Sequence, residues 1–192
     1  MVEYVAAAGT VIKFGGETVS KIEEFCSGGE YHNVNRRFHF TFQNSTGIAL
    51  KLVYQDKWFG YLETPNKYVP PHGNLAIRGY KRSDNASGVT YLLGFQFDPN
   101  KIETKALLYV YLQVGYSADN YYGWSFEKEK VITAEQFYDS ARFNQINKGS
   151  EADHTLNKGG TKVKGTIAGR WSCEMITDNQ SDSFPKLSLS NL

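Results

Sequence analysis

The strict alternation of apolar and polar side chains constrains the fold of this chain most. The pattern is clearest in two runs on either side of the turn 44–47: Phe38, Phe40 and Phe42, then Ile48, Leu50, Leu52 and Tyr54. Successive side chains of a β-strand point to opposite faces, so this period of two predicts strands with one apolar face. The two runs and their turn therefore predict a β-hairpin.

Further runs predict that strands dominate the whole chain. The segment 89–97 is apolar almost throughout, as is typical of a strand covered on both faces. A capping box at Thr133–Gln136 begins a predicted helix over 133–147, and 151–160 is polar enough to be a loop. Other predicted strands are 75–80, 106–114, 163–167 and 171–175. The fold class predicted is mainly β: a β-sandwich of roughly ten strands flanked by two α-helices.

The stretch 106–128 contains most of the candidate binding residues. Its strand 106–114 has an aliphatic face and an aromatic face, and the following segment 115–124 places aromatic rings among Gly, Ser, Asp and Asn. Exposed Tyr and Trp rings bind lipid headgroups or sugars well, but a long loop also folds its rings back onto the sheet. Both interpretations stay open. The rings concerned are Tyr116, Tyr121, Tyr122 and Trp124.

Composition gives little support for nucleic-acid binding or catalysis. The 192 residues include 21 Lys and Arg against 20 Asp and Glu, so the net charge is +1 and no general field attracts nucleic acid. The four histidines stand alone, without metal-ligand spacing, a phosphate-binding glycine loop or a nucleophile motif. We therefore predict a non-enzyme with no catalytic residues, metal or cofactor. The two cysteines, Cys26 and Cys173, are predicted to be free thiols.

The segment 4–26 has the pattern of an amphipathic helix. Its apolar stripe contrasts with charged side chains elsewhere, but Gly15 and Gly16 weaken a helix in water. Two alternatives remain: a helix that packs on the sheet, or a pore helix that forms at a membrane after the hinge 27–29 moves. The pore helix would use Val11, Ile12, Val19 and Ile22 on its apolar side, with Glu17 and Glu24 on its polar side.

These residues resemble a family, the actinoporins and actinoporin-like pore-forming cytolysins, from about residue 7 to residue 176. The matching stretches, in family order, are 8–12, 36–37, 44–47, 69–73, 86–88, 106–124 and 135–143. The resemblance implies a β-sandwich that binds membranes, detaches its N-terminal helix and oligomerises there from a soluble monomer. Arg36 is a predicted oligomer or lipid contact. The predicted headgroup-binding residues are Val114, Tyr116, Tyr121, Tyr122, Trp124, Tyr138 and Arg142.

Several positions depart from the family pattern and predict a different headgroup. Gly115 replaces a proline, Asn120 an exposed tryptophan, and Arg142 and Phe143 two tyrosines. A cation such as Arg142 repels a quaternary ammonium and suits an anionic or sugar headgroup instead of phosphocholine. The predicted domain is 1–177, with 1–29 as detachable helix and hinge. The remainder, 178–192, is predicted to be a disordered or loosely attached polar tail.

Two functions follow as hypotheses from these observations. The first is a secreted pore-forming cytolysin that binds a target-cell membrane, oligomerises and inserts its N-terminal helix as a cation-permeable pore. The second is a non-lytic lipid- or carbohydrate-binding lectin-like β-sandwich. The N-terminus lacks the basic start and long apolar core of a secretory signal, so the mature chain is expected to be already processed or intracellular.

Overall fold

The computed structural model describes residues 36–81, 88–98, 106–116, 119–128, 132–144, 154–167 and 169–192. Within the elements, the side chains at 127–128, 140–144 and 154 are not described. The predicted pore helix, its hinge and Cys26 therefore lie outside the described residues, and so do the side chains of Arg142 and Phe143.

The described residues form thirteen strands and one helix. The strands are β1 Arg37–Asn44, β2 Leu50–Phe59, β3 Tyr61–Glu63, β4 Tyr68–Val69, β5 Gly73–Tyr80, β6 Val89–Phe97, β7 Ala106–Val114, β8 Tyr121–Lys128, β9 His154–Lys158, β10 Lys162–Ile167, β11 Trp171–Ile176, β12 Asp182–Ser183 and β13 Lys186–Asn191. The helix α1 is Ala134–Asn144, between β8 and β9.

The strands form two sheets, which confirms the predicted β-sandwich. One sheet has six strands in the order β4-β2-β6-β7-β8-β9; the other has seven, in the order β10-β11-β13-β1-β5-β3, with β12 paired to the start of β1. The main core lies between them and is rich in aromatic side chains. Phe38, Phe40 and Phe42 of β1 are fully buried there, as the alternation predicted.

The predicted hairpin was wrong, because β1 and β2 lie in different sheets. The turn between them exists and is held by Asn44, whose Nδ2 donates to the carbonyls of Ile48 and Pro70 at 2.7 and 2.9 Å. It carries the chain across the sandwich. An apolar face fits either arrangement, since strands that pair and strands that face each other across a core both need one.

The predicted loop 151–160 and the predicted loose tail were also wrong. β9 extends the six-stranded sheet beside β8, and β13 lies inside the seven-stranded sheet between β11 and β1. Leu187 and Leu189 of β13 are fully buried. The two leucines alternate with serines over too short a run to stand out, yet their burial makes the C-terminal segment part of the core.

A second core lies on the outer face of the six-stranded sheet, under α1. The capping box is confirmed: Thr133 N–H donates to Gln136 Oε1 at 3.0 Å, and Gln136 N–H donates to Thr133 Oγ1 at 3.1 Å. The ring of Phe137 stacks on that of Tyr111 at 5.3 Å. The helix therefore covers the aromatic face of β7, and both faces of this strand are buried. Burial raises the pKa of the Tyr111 hydroxyl.

Candidate functional site

One end of the sandwich presents exposed aromatic side chains. The four residues, with their exposed fractions, are Trp58 37%, Phe59 42%, Tyr61 41% and Tyr116 43%. The first three lie around the β2–β3 turn, and the fourth lies just after β7. Both β2 and β7 run antiparallel to β6 between them, so their C-terminal ends meet at one end of the sheet. We call the surface formed by these four residues the aromatic end.

A β-bulge near the end of β2 brings two of these rings together. The register between β2 and β6 shifts between Lys57 and Phe59, which leaves Trp58 as the extra residue. The Trp58 and Phe59 rings stack, with centroids 5.6 Å apart and an interplanar angle of 17°. The bulge therefore joins two consecutive rings into one apolar surface, where regular pleating would send them to opposite faces.

Gly60 carries the chain from one sheet to the other at this end. Its φ is +90°, and a Cβ there would lie 2.6 Å from the Tyr80 carbonyl oxygen and 2.9 Å from Val89 Cγ2. Only glycine fits such a position without strain. Tyr61 follows directly, and its ring lies 5.5 Å from the Tyr80 ring. The corner thus sets Phe59 and Tyr61 on adjoining sheets of the same end.

The helix adds half-buried rings beside the aromatic end. The Tyr138 ring lies 6.1 Å from that of Trp58 and packs edge-on against Tyr121 at 5.7 Å. Ala134 N–H donates to a carboxylate oxygen of Asp56 at 2.7 Å, which attaches the start of α1 to β2. Tyr121 and Tyr138, both predicted from the sequence, are therefore in contact with each other.

Tyr116 is surrounded by basic side chains of the same chain. The Arg36 guanidinium donates from Nε and Nη2 to the Tyr116 carbonyl oxygen at 3.2 and 2.8 Å. Its central carbon lies 5.8 Å from the centre of the Tyr116 ring, and Lys81 Nζ lies 5.4 Å from it. Both distances are in the range of cation-π contacts. Arg36 thus links the start of β1 to the loop after β7.

A polar groove of about 370 Å³ opens beside this ring. Its walls come from the start of β1, the loop after β7 and the segment between β11 and β12. The lining residues are Arg36, Gly115, Tyr116, Asp119, Asn120, Asn179, Gln180 and Ser181. We call it the Tyr116 groove.

Asn120 fixes the shape of the Tyr116 groove. Its Nδ2 donates to the Gln180 carbonyl at 2.7 Å, its Oδ1 accepts from Gly115 N–H at 3.2 Å, and its own N–H donates to Asn179 Oδ1 at 2.9 Å. The side chain is buried. At the position where the actinoporin family has an exposed tryptophan, this chain has a buried asparagine that is hydrogen-bonded to two loops.

Three predicted headgroup residues do not reach the surface. Val114, Tyr122 and Trp124 are fully buried, so they form no part of an exposed headgroup site; for Tyr122 and Trp124, the alternative that the rings fold back onto the sheet is correct. Tyr122 and Trp124 lie on the inner face of β8, and the Tyr122 hydroxyl donates to Ser183 Oγ at 2.6 Å. The segment after Asn120 is already strand, so its rings follow the pleat into the core. Burial also raises the pKa of Tyr122.

Trp58, Phe59 and Tyr61, which are three of the four residues of the aromatic end, were not predicted from the sequence. A signal existed: three aromatic residues surround Gly60, at the point where the alternation of β2 ends. Their joint exposure depends on the β-bulge and on the corner between the two sheets. The local sequence pattern indicates neither of these features.

The outer face of the seven-stranded sheet carries a separate polar cluster. Asp182 accepts from Arg37 Nη2 at 2.6 Å and lies 3.0 Å from His39 Nε2. The His39 ring stacks on Phe184 at 4.5 Å, and 60% of the Phe184 surface is exposed. Burial lowers the pKa of His39, and the nearby Asp182 carboxylate offsets this lowering only in part.

Neither a metal site nor a membrane-spanning helix is found in the part of the chain that the structure describes. Its acidic, His and Cys side chains form no group of three or more that could hold a metal ion. No helix there is both long and apolar enough to cross a bilayer. Cys173 is a buried free thiol, as predicted, and burial raises its pKa.

Comparison with known proteins shows the fold. No family model and no curated protein matches the chain. The crystal structure of the lipid binding protein Nakanori is similar, with a TM-score of 0.63 and 9% identity over 91% of this chain and 79% of that one. RahU protein in complex with a TRIS molecule has a TM-score of 0.45 at 9% identity, over 82% of this chain and 96% of that one. The lectin XCL from Xerocomus chrysenteron has a TM-score of 0.42 at 11% identity, over 80% and 99% respectively.

Proposed function

We propose that this protein binds lipid membranes through its aromatic end. The observation that carries the proposal is the clustering of Trp58, Phe59, Tyr61 and Tyr116, each more than a third exposed, at one end of the sandwich. Aromatic rings with an apolar body and a polar rim favour the boundary between headgroups and acyl chains. A compact group of such exposed rings marks an interaction site. The likeness to a structure described as a lipid binding protein agrees with this choice.

The energy available from these rings is sufficient for reversible binding. An aromatic side chain presents roughly 200 Å² when free, so a 42% exposed Phe59 offers about 80 Å². At about 25 cal/mol per Å², its transfer from water contributes about 2 kcal/mol. Four rings of similar exposure would give several kcal/mol, minus the free-energy cost of association.

We extend the proposal to pore formation by a secreted protein of the actinoporin-like type. It rests on the apolar stripe Val11, Ile12, Val19 and Ile22, on the polar side with Glu17 and Glu24, and on the family resemblance. Membrane docking would bring the N-terminal segment to the bilayer, where several copies assemble around a lumen. An acidic lumen would favour cations.

Binding is tested by cosedimentation with phosphatidylcholine vesicles. The double variant Trp58→Ala/Phe59→Ala should lose at least tenfold in partitioning, since it removes two adjoining rings. Tyr68→Ala is the matched control, because Tyr68 is 48% exposed at the opposite end, beside the start of β2. The proposal is refuted if the control and the double variant, both shown to be folded by near-UV circular dichroism, bind equally.

Pore formation is tested by dye release from the same vesicles. A chain that lacks residues 1–26 should bind as before and release no dye, and the intact chain should conduct cations. Full leakage caused by the shortened chain would refute the pore mechanism but would not contradict the binding proposal.

Glycan binding without lysis is a second candidate, favoured by Phe184. Its ring is 60% exposed and stacks on His39, whose Nε2 lies 3.0 Å from the Asp182 carboxylate. An aromatic platform next to a hydrogen-bond acceptor suits a sugar ring. A glycan array on which Phe184→Ala loses all signal, together with absence of leakage from the intact chain, would favour this candidate over the first.

A further inference from the structure

Arg36 lines the Tyr116 groove and has hydrogen-bonding capacity that the described residues do not use. Two of its nitrogens, Nε and Nη2, bond the Tyr116 carbonyl, and no acceptor for Nη1 is found among the described residues. No carboxylate in the described part of the chain forms an ion pair with it either. A guanidinium has five N–H donors in a planar fork, which suits phosphate.

The other charge in the groove wall is already neutralised. Asp119 accepts from Lys158 Nζ at 2.7 Å and from Asn179 Nδ2 at 3.2 Å. These hydrogen bonds, that of Lys158 first, lower the pKa of Asp119. Among the described lining residues, Arg36 is therefore the unneutralised charge.

The Tyr116 ring is poorly suited to a choline headgroup. A quaternary ammonium is recognised by aromatic rings whose faces are open to it. Here the ring already has two cations of the chain within 6 Å of its centre, Arg36 at 5.8 Å and Lys81 at 5.4 Å. A further cation would be repelled by the Arg36 guanidinium, which would attract an anion beside the ring.

We propose that the Tyr116 groove binds the phosphate of an anionic lipid headgroup. Its volume of about 370 Å³ accommodates a small polar headgroup. The side-chain amide of Gln180 and the hydroxyl of Ser181 can bond the hydroxylated or amino part of it. Tyr116 belongs both to the groove and to the aromatic end, so the phosphate would sit at the level where the rings enter the membrane. The inference rests on the proposed function and adds the lipid class.

The experiment compares partitioning onto vesicles of pure phosphatidylcholine and of phosphatidylcholine mixed equally with phosphatidylserine. Arg36→Gln should bind the mixed vesicles about fivefold or more weakly than the wild type, which is the effect of one basic residue at an anionic surface. The loss on the neutral vesicles should be smaller, because their surface carries no net charge to attract the guanidinium. Lys51→Gln is the matched control: it also removes one cation near a tyrosine ring, that of Tyr68 at 6.0 Å, but at the opposite end.

Ser181→Glu provides a second variant in case Arg36→Gln unfolds. Ser181 is an exposed residue of the groove wall, and its backbone carbonyl keeps its bond from Arg37 N–H. A carboxylate there should weaken binding to the mixed vesicles as well. Titration calorimetry with glycerol 3-phosphate tests whether the groove binds a phosphate that is not part of a lipid. A heat of binding that is measured for the wild type and absent for Arg36→Gln would assign the phosphate to the groove.

The possible outcomes separate the groove from the aromatic end. Equal binding of wild type to both vesicles, or equal losses in Arg36→Gln and Lys51→Gln, would overturn the groove proposal while the aromatic end stands. Glycerol 3-phosphate binding without any vesicle binding would support the groove and refute the proposed membrane function. Absence of binding to every probe would overturn both.

Discussion

Removal of the buried leucines of β13 should destabilise the whole sandwich. Leu187 pairs with Phe42 of β1 on one side and with Met175 of β11 on the other. Leu189 occupies the next inward position of the strand, and both side chains are fully buried. The perturbation is the double variant Leu187→Ala/Leu189→Ala, which keeps the strand and its backbone hydrogen bonds.

The expected loss is large compared with the stability of a domain. A buried Leu→Ala substitution costs about 2–5 kcal/mol through lost transfer energy and the cavity left behind. The two sites share neighbours and are not independent, so we expect about 4–8 kcal/mol for the pair. Domains have total stabilities of about 5–15 kcal/mol. The double variant should therefore be close to unfolding at 25 °C.

Urea denaturation followed by tryptophan fluorescence measures this effect. The control is Ser188→Ala/Ser190→Ala, which alters the half-exposed positions of the same strand and should change the free energy of unfolding by less than about 1 kcal/mol. A third chain that ends at Gln180 should fail to unfold cooperatively. An unchanged urea midpoint in the leucine variant, or a cooperative transition in the truncated chain, would show that the C-terminal segment is the loose tail its composition indicates.

Three further outcomes are expected. Trp124→Ala should lower the free energy of unfolding by about 3–5 kcal/mol, whereas a mere loss of vesicle binding at full stability would mean that this ring is exposed. Burial holds the His39 pKa below its ordinary 6.5, so on acidification this histidine takes up a proton in the unfolded chain before it does so in the folded one. The free energy of unfolding should therefore fall as the pH drops below about 6.5. His39→Gln should make this dependence on pH weaker, as measured by denaturation curves at successive pH values. Cys173 should react with a thiol reagent only in denaturant, since it is buried and its pKa is raised; rapid labelling of this residue in the native protein, located by peptide mapping, would contradict its burial.

The exposure of the binding residues shows why the candidate site was only partly predictable. Tyr116 is exposed as expected, but Trp124, a few residues later, belongs to the core. Trp124 belongs to β8, which pairs with β7 on one side and with β9 on the other; β9 approaches so closely that a side chain at Gly123 would collide with the Thr155 carbonyl. β8 is therefore an interior strand of its sheet, and its pleat turns the Trp124 ring into the main core. The partner strand lies some thirty residues further along the chain, beyond the range of any local pattern.

The sequence by itself determined that β1, β2, β5, β6, β7, β10 and β11 are strands, which of their faces are apolar, and where α1 begins. These properties arise within a few residues, from the pleat of a strand and from the reciprocal bonds of the Thr133–Gln136 capping box. Only the tertiary structure decided which strands pair, that β13 lies inside a sheet, and that Trp58, Phe59 and Tyr61 share one end with Tyr116. Burial and clustering depend on neighbours distant in sequence, because an apolar face specifies that it must be covered but not by what.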